Sequence, residues 1–374
     1  MTFRKLVEVG VSAQEYKEYQ DNPQWREFVQ AVKGAEYAKG FAGCGKMYRK
    51  YDCDNGHEVW KAIHCSDGRY CPRCSRLIRE AAARDDLEVA HTFYSRLGRM
   101  VEFASFEFTV PRDMQLEISD EHLGDLRTSA NAIVAKLLSD HGNIVPMGKS
   151  CVQWWHTSNP FLGNYPHVHG VVYSLVFDKE LNAPDVTGAT NGKGDFRQIN
   201  LYLSREQLDE MRALWLKALY AYGKTKSKNV VVRWHVSRGY GRLAHRLSYM
   251  HRGATNDFFR YVTQARFFEA VMASPNVDWV RRCLERPAHF KHVSGFGMLA
   301  ESRMYKWAER LGLSIPRKPV RDRARKRVKC PHCGLFMTPQ QVVKSLGELK
   351  QTGAEVLAWC SEDYPVLRDW GKGS

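Results

Sequence analysis

Asn164-Tyr-Pro-His167-Val168-His169-Gly-Val-Val-Tyr-Ser-Leu-Val-Phe177 sets two histidines one residue apart at the head of an apolar, β-branched run. Such a run predicts a strand. Alternate side chains of a strand share a face, so His167 and His169 would present two imidazoles side by side, the arrangement needed to hold one metal ion. A metal on a strand of a basic protein points to chemistry on phosphates.

Upstream, Ser150–His156 is a second extended segment. The connection 157–166 contains two prolines and a glycine and suits an antiparallel hairpin rather than a parallel crossover. Val101–Val110 is a strand stopped by Pro111, and Val230–Val236 is another. Helical patterns cover 1–40 (with a capping box at Ser12–Glu15), about 76–97, about 120–140, 242–270 with a break near Gly253, and 299–311. A further helix opens with the capping box Ser204-Arg-Glu-Gln207. It carries Leu208, Met211, Trp215, Leu219 and Tyr222 on one face and stops at Gly223. The pattern predicts an α+β protein with a central antiparallel sheet rather than a doubly wound parallel one. The expected units are a helical segment 1–43, a zinc-binding segment and helix 44–98, a core 99–275, a helical extension 276–316, and a basic linker with a small C-terminal module 317–374.

The chain has 374 residues, 44% hydrophobic and 12% aromatic, enough for a sizeable core and unlike a disordered polypeptide. Its formal net charge of +15 favours a polyanionic partner, nucleic acid first. No apolar run approaches the roughly 20 residues of a membrane span, and the N-terminus lacks the apolar core of a signal peptide. The expectation is a cytoplasmic protein without a membrane partner.

The ten cysteines fit that compartment as thiols or metal ligands. Cys71-Pro-Arg-Cys74 is a knuckle entering a helix, whose N-terminus favours negative sulfur. A tetrahedral Zn²⁺ needs two more ligands, and Cys53, His57 and Cys65 offer three, with Cys44 and His64 ranked lower. The segment is too poor in apolar periodicity to fold unaided, so this zinc is expected to be structural. Cys330-Pro-His-Cys333 repeats the knuckle, with Cys360 and His332 as possible partners for a second zinc. The alternative there is a pair of free thiols.

For a metal at His167 and His169, His156 is the leading third ligand and Gln153 the second choice, since an amide oxygen also meets hard cations. On the helix from Arg242, Leu243, Leu247 and Met250 form the apolar stripe, while His245, Tyr249 and Arg252 recur at i, i+4 and i+7 on another face. A tyrosine off the apolar stripe, with a basic residue one turn away on each side, can attack phosphate once a neighbouring cation activates it.

The order of these parts carries a resemblance: a Cys/His segment, the Phe106-Glu-Phe-Thr109 strand, the His167-Val168-His169 strand, then Tyr249-Met-His-Arg252. It resembles the HUH endonucleases of rolling-circle plasmids, specifically replication initiators with an N-terminal Cys-Pro-x-Cys segment. It is similar, more distantly, to HUH transposases with the same zinc leader. The resemblance spans roughly 44–312, and 292–300 weakly resembles the region after the catalytic helix of those initiators. It implies a ferredoxin-like HUH core of five antiparallel strands with the histidines on a central strand. It implies Tyr249 as nucleophile, forming a 5′-phosphotyrosine, with Mg²⁺ or Mn²⁺ as catalytic metal. It departs from the usual Tyr-x-x-Lys in having Arg252, which keeps a charge near phosphate but not a proton-transfer role. A histidine as third ligand would also depart from the carboxylate of many relatives and favour Mn²⁺.

The expected function is therefore origin nicking and rejoining during plasmid replication. Arg252 and His245 would steady phosphate charge, and His245 could also carry a proton. Arg317, Lys318, Arg321, Arg323, Arg325, Lys326, Arg327 and Lys329 would grip flanking duplex. Origin DNA, single-stranded near the nick, and a host helicase and polymerase are the expected partners. An insertion-element transposase and a non-catalytic zinc-finger regulator are the alternatives.

Overall fold

His167–Asp178 is a twelve-residue strand, buried along its length except for partial exposure at His169. Such a run must be covered on both faces and paired on both edges, and the rest of the fold follows from that demand. The computed structural model describes residues 23–36, 38, 43–65, 70–96, 98–115, 118–153, 165–180, 195–227, 230–251, 269, 272, 293–300, 304, 305, 309 and 328–354.

In chain order the elements are α1 (Pro23–Lys33), β1 (Met47–Asp52), β2 (Glu58–Ala62), α2 (Pro72–Arg96), β3 (Glu102–Thr109), α3 (Leu123–Leu138), β4 (Ile144–Gln153) and β5 (His167–Asp178). There follow β6 (Asp195–Gln198), α4 (Arg205–Leu219), β7 (Val232–Arg238), α5 (Tyr240–Met250), β8 (Val293–Gly297), β9 (Val328–Lys329), β10 (Phe336–Ser345) and α6 (Leu346–Gln351). The architecture is α+β with two antiparallel sheets. The larger has the order β7-β3-β5-β4-β8, with β6 on the far end of β5. The smaller has the order β2-β1-β10-β9.

The larger sheet is a middle layer. Phe106, Phe108, Val152, Val168, Val172 and Val176 on one face pack against α3 and α4 through Leu126, Val134, Leu137, Met211, Trp215 and Leu219. On the other face Phe103, Cys151, Val171, Tyr173 and Leu175 meet Leu87, Ala90, Phe93 and Tyr94 of α2 and Leu243, Leu247 and Met250 of α5. Each large side chain so buried contributes about 1.5–3 kcal/mol. Gly170, directly after the histidine pair, points to the first face. A Cβ there would lie 2.0 Å from the Phe106 ring, so only glycine lets that ring cross β5.

Local signals act where the sequence places them. Ser204 Oγ accepts from the Gln207 N–H at 3.2 Å, and the Gln207 side chain accepts from the Ser204 N–H at 2.9 Å. This reciprocal cap opens α4. The Trp215 indole N–H donates to the Thr109 carbonyl at 2.7 Å and ties α4 to the end of β3.

Several expectations need correction. β4 starts at Ile144 rather than Ser150, because a register shift between Pro146 and Gly148 absorbs the proline. The helix opened at Ser204 ends at Leu219, short of Gly223. The next helix begins at Tyr240, since Gly239 at φ +91° turns β7 sharply into it. The segment 276–316, expected to be helical, supplies β8, an edge strand of the large sheet. The expected C-terminal module is not separate: β10 pairs with β1 of the N-terminal hairpin. The readings over 1–22 and 317–327, and most of 252–292 and 301–316, lie outside the described residues.

Candidate active site and metal clusters

Register fixes the surroundings of the histidine pair. His167 lies opposite Thr109 on β3 and Gln153 on β4, and His169 lies opposite Glu107 and Cys151. Directly paired residues share a face, so Glu107, Cys151 and Gln153 frame the two imidazoles. The His167 and His169 ring centroids are 4.7 Å apart. His167 is buried, and its Nδ1 lies 2.7 Å from the Tyr165 carbonyl. Donation from Nδ1 turns Nε2 into the lone-pair nitrogen, as in metal-ligating histidines.

The tyrosine reaches the same place. α5 sits on this face through Leu243, Leu247 and Met250, and the Tyr249 ring lies 5.2 Å from His169, nearly perpendicular to it. His245 is exposed one turn earlier on α5. Arg233 and His235 of β7 are exposed on this same face, and among the described residues no helix covers the sheet there. Arg233 pairs with Glu107 at 3.1 Å. Glu107, the residue between Phe106 and Phe108, was missed as a candidate; its place between two apolar residues of a strand already marked it as facing away from the core.

Gln153 stands out chemically. It is 6% exposed, and among the described residues neither its amide oxygen nor its amide nitrogen has a hydrogen-bond partner. His156 and Arg252 lie outside the described residues, as do Arg317, Lys318, Arg321, Arg323, Arg325, Lys326 and Arg327, while Lys329 falls in β9. Among the described residues, groups of three or more Cys, His or carboxylate ligands in metal-binding range occur at two places, both away from the histidine pair.

The first is Cys44, Cys65, Cys71 and Cys74. Cys44 Sγ is 3.6 Å from Cys74 Sγ and 3.5 Å from Cys71 Sγ, and Cys65 Sγ is 3.6 Å from Cys74 Sγ. A tetrahedral zinc with bonds near 2.3 Å would set its sulfurs about 3.8 Å apart. Hydrogen bonds from the Cys65, Cys71 and Cys74 thiols push the Cys44 thiol far down, and sharing with Cys44 pushes Cys71 and Cys74 far up. A tetrahedral cation replaces that uneven sharing by holding four thiolates.

The second is Cys53, His57, Cys330 and Cys333. Cys53 Sγ lies 3.8 Å from Cys333 Sγ and 3.3 Å from His57 Nδ1, and Cys330 Sγ lies 3.6 Å from the same nitrogen. Both clusters could hold a structural metal such as zinc. The partition differs from the one drawn from sequence, which placed Cys53 and His57 with Cys65, Cys71 and Cys74. The hairpin explains why. Cys53 and His57 sit at the β1–β2 turn, whereas Cys44 and Cys65 flank its open end. A six-residue strand, about 20 Å long, separates the two, too far for one ion. Cys44 completes the first set. The ring of His332, the other expected partner, lies tilted against His57 with centroids 4.9 Å apart, and Cys360 lies outside the described residues.

Among the described residues no helix is long and apolar enough to cross a membrane. No protein-family model, curated protein or solved structure matches the chain, so its own residues carry the functional argument.

Proposed function

We propose that this protein is an HUH-type endonuclease that nicks and rejoins single-stranded DNA, initiating rolling-circle replication of a plasmid. The observation that carries the reading is the meeting of Tyr249 with His169, on a face where His167 and His169 share the central strand. The order β3-α3-β4-β5-α4-β7, with β7-β3-β5-β4 side by side and both helices on one face, supports a ferredoxin-like core. The +15 charge and the exposed Arg233 beside the histidines suit a polyanionic strand.

The Tyr249 hydroxyl oxygen attacks the scissile phosphorus and becomes linked to the phosphate of the new 5′ end, a 5′-phosphotyrosine. The P–O3′ bond breaks, the 3′ oxygen takes up a proton, and the phenol gives one up, with His245 one turn away to carry it. His167, His169 and the unpartnered Gln153 amide fit a divalent ion, Mg²⁺ or Mn²⁺, which would polarise a non-bridging phosphate oxygen. The energy of the broken ester stays in the phosphotyrosine, so the reverse attack by a 3′-hydroxyl rejoins the strand.

The test uses single-stranded oligonucleotides tiling the replicon that encodes the protein, with Mn²⁺, and denaturing electrophoresis. Wild type should give a covalent adduct, Tyr249→Phe none, and His167→Ala none despite retained DNA binding. An adduct that survives Tyr249→Phe and maps to Tyr261 refutes the assignment.

A further inference from the structure

Outside these sites, α2, which covers the face of the sheet that carries the histidines, holds a buried carboxylate at Asp86. Asp86, on α2, is 4% exposed, and its carboxylate is shared between Lys149 and His251, which come from different elements. Lys149 of β4 forms an ion pair with one oxygen, and His251 Nε2 lies 2.8 Å from the other. Burial alone would raise the Asp86 carboxyl. The charges of Lys149 and His251 outweigh that and hold it well below the usual carboxylate range.

The places of the three residues matter. His251 caps the C-terminus of α5, its N–H donating to the Leu247 carbonyl at 3.0 Å, two residues beyond Tyr249. Lys149 shares a row of β4 with Cys151 and Gln153, the residues opposite His169 and His167. Asp86 thus joins the last turn of the tyrosine helix to the strand that flanks the histidine pair. A helix fastened through Leu243, Leu247 and Met250 alone can slide and roll on an apolar surface, whereas the His251 contact at its end, to a carboxylate itself held by Lys149, defines one setting.

We infer that Asp86 is a positioning residue, which through His251 and Lys149 locks the end of α5 so that Tyr249 faces the His167–His169 pair. The inference rests on the proposed nicking reaction for its kinetic consequence and on the fold alone for its structural one. Misplacing a nucleophile by about 1 Å costs on the order of 100-fold in rate.

Two readouts keep the two claims apart. Hydrogen exchange on the full-length protein, followed in the peptide spanning 240–251, needs no activity. Asp86→Asn should speed exchange in that peptide while β3 and β5 keep wild-type protection. In the nicking assay Asp86→Asn should lower the single-turnover rate about 100-fold with oligonucleotide affinity unchanged. Because Asp86→Asn also leaves Lys149 without its partner, His251→Gln and His251→Ala form a second pair. The glutamine amide can still donate to Asp86, so His251→Gln should restore both readouts relative to His251→Ala. Unchanged α5 exchange in Asp86→Asn and His251→Ala overturns the inference even if nicking is seen. Equal loss of nicking in both His251 variants, with α5 exchange at the wild-type level, also overturns it by making His251 act on the substrate itself. Absence of any Tyr249 adduct from wild type defeats the nicking reading, and the exchange arm then judges Asp86 alone.

Discussion

The division of eight ligands into two clusters makes the sharpest expectation, because sequence proximity divides them differently. Cys53→Ser strikes the Cys53, His57, Cys330, Cys333 cluster and Cys65→Ser strikes the Cys44, Cys65, Cys71, Cys74 cluster. Wild type should carry two zinc ions per chain by elemental analysis, each single variant one, and the double variant none. Were Cys53 and Cys65 ligands of one ion, the double variant would keep its second zinc at Cys330 and Cys333, and the structural partition would be refuted. The clusters should also differ when the fold is lost. Cys44 and Cys74 are 30 residues apart, whereas Cys53 and Cys333 are 280 apart. In an unfolded chain the longer closure costs more by (3/2)RT ln(280/30), about 2 kcal/mol, or roughly 30-fold in metal affinity. A chromogenic chelator in concentrated urea should therefore draw zinc first from the wide cluster. Release from Cys65→Ser, which keeps only that cluster, should occur at about 30-fold lower chelator concentration than from Cys53→Ser. Equal release from the two variants would mean that closure distance does not separate them.

Two further outcomes can be checked directly. Gln153→Leu removes two unpartnered buried polar atoms, so the metal-free protein should gain roughly 1–2 kcal/mol in thermal or urea unfolding. Calorimetric Mn²⁺ binding should weaken at least about tenfold in the same variant, and unchanged Mn²⁺ affinity removes Gln153 from the ligand set. Burial pushes the Tyr94 phenol up to about 12, while its hydroxyl donates to the Glu102 carbonyl at 2.7 Å. A folded value above the unfolded 10 means that this stabilisation is complete below about pH 10 and is lost as pH rises toward 12, roughly 3 kcal/mol in all. Urea midpoints should fall over that window, and Tyr94→Phe, which cannot ionise, should flatten the fall.

The face that brings His167, His169 and Tyr249 together was legible because its signals are local. Two histidines at strand spacing, a capping box at Ser204 and a tyrosine off the apolar stripe of its helix each need only a few neighbouring residues to be read. The metal clusters were not, because Cys44, Cys53, His57 and Cys65 interleave along the chain and only the extent of the β1–β2 hairpin sorts them. β8 escaped for another reason. Val293-Ser-Gly-Phe-Gly297 has poor strand propensity, yet both glycines are demanded by close backbone contacts, one within the following turn and one far away in sequence. A Cβ on Gly295 would lie 1.9 Å from the Leu299 carbonyl oxygen, and one on Gly297, at φ +61°, would lie 1.8 Å from that of Pro146. Close approach of backbone, not propensity, places that strand.

The packing of the clusters also bears on the reading of the chain as a zinc-finger regulator. A detachable finger would carry its own core. Among the described residues the core of the small sheet is Cys53, Val59, Val328, Cys330 and Met337, a small core that a metal at Cys53, His57, Cys330 and Cys333 could brace. The four-cysteine cluster is embedded instead: Cys44, Cys71 and Cys74 belong to the same apolar cluster as Trp25 and Phe28 of α1 and the strands and helices of the large sheet. The Trp25 indole N–H closes that contact by donating to the Tyr70 carbonyl at 3.1 Å. From Cys74, α2 runs on for about 18 Å to Asp86, and from there its side chain reaches the end of the tyrosine helix. The four cysteines that could hold a metal and the carboxylate that meets the tyrosine helix are thus joined by one rod, α2, which runs from one core cluster to the other. That economy suits a zinc segment that braces a catalytic face better than one that reads DNA by itself.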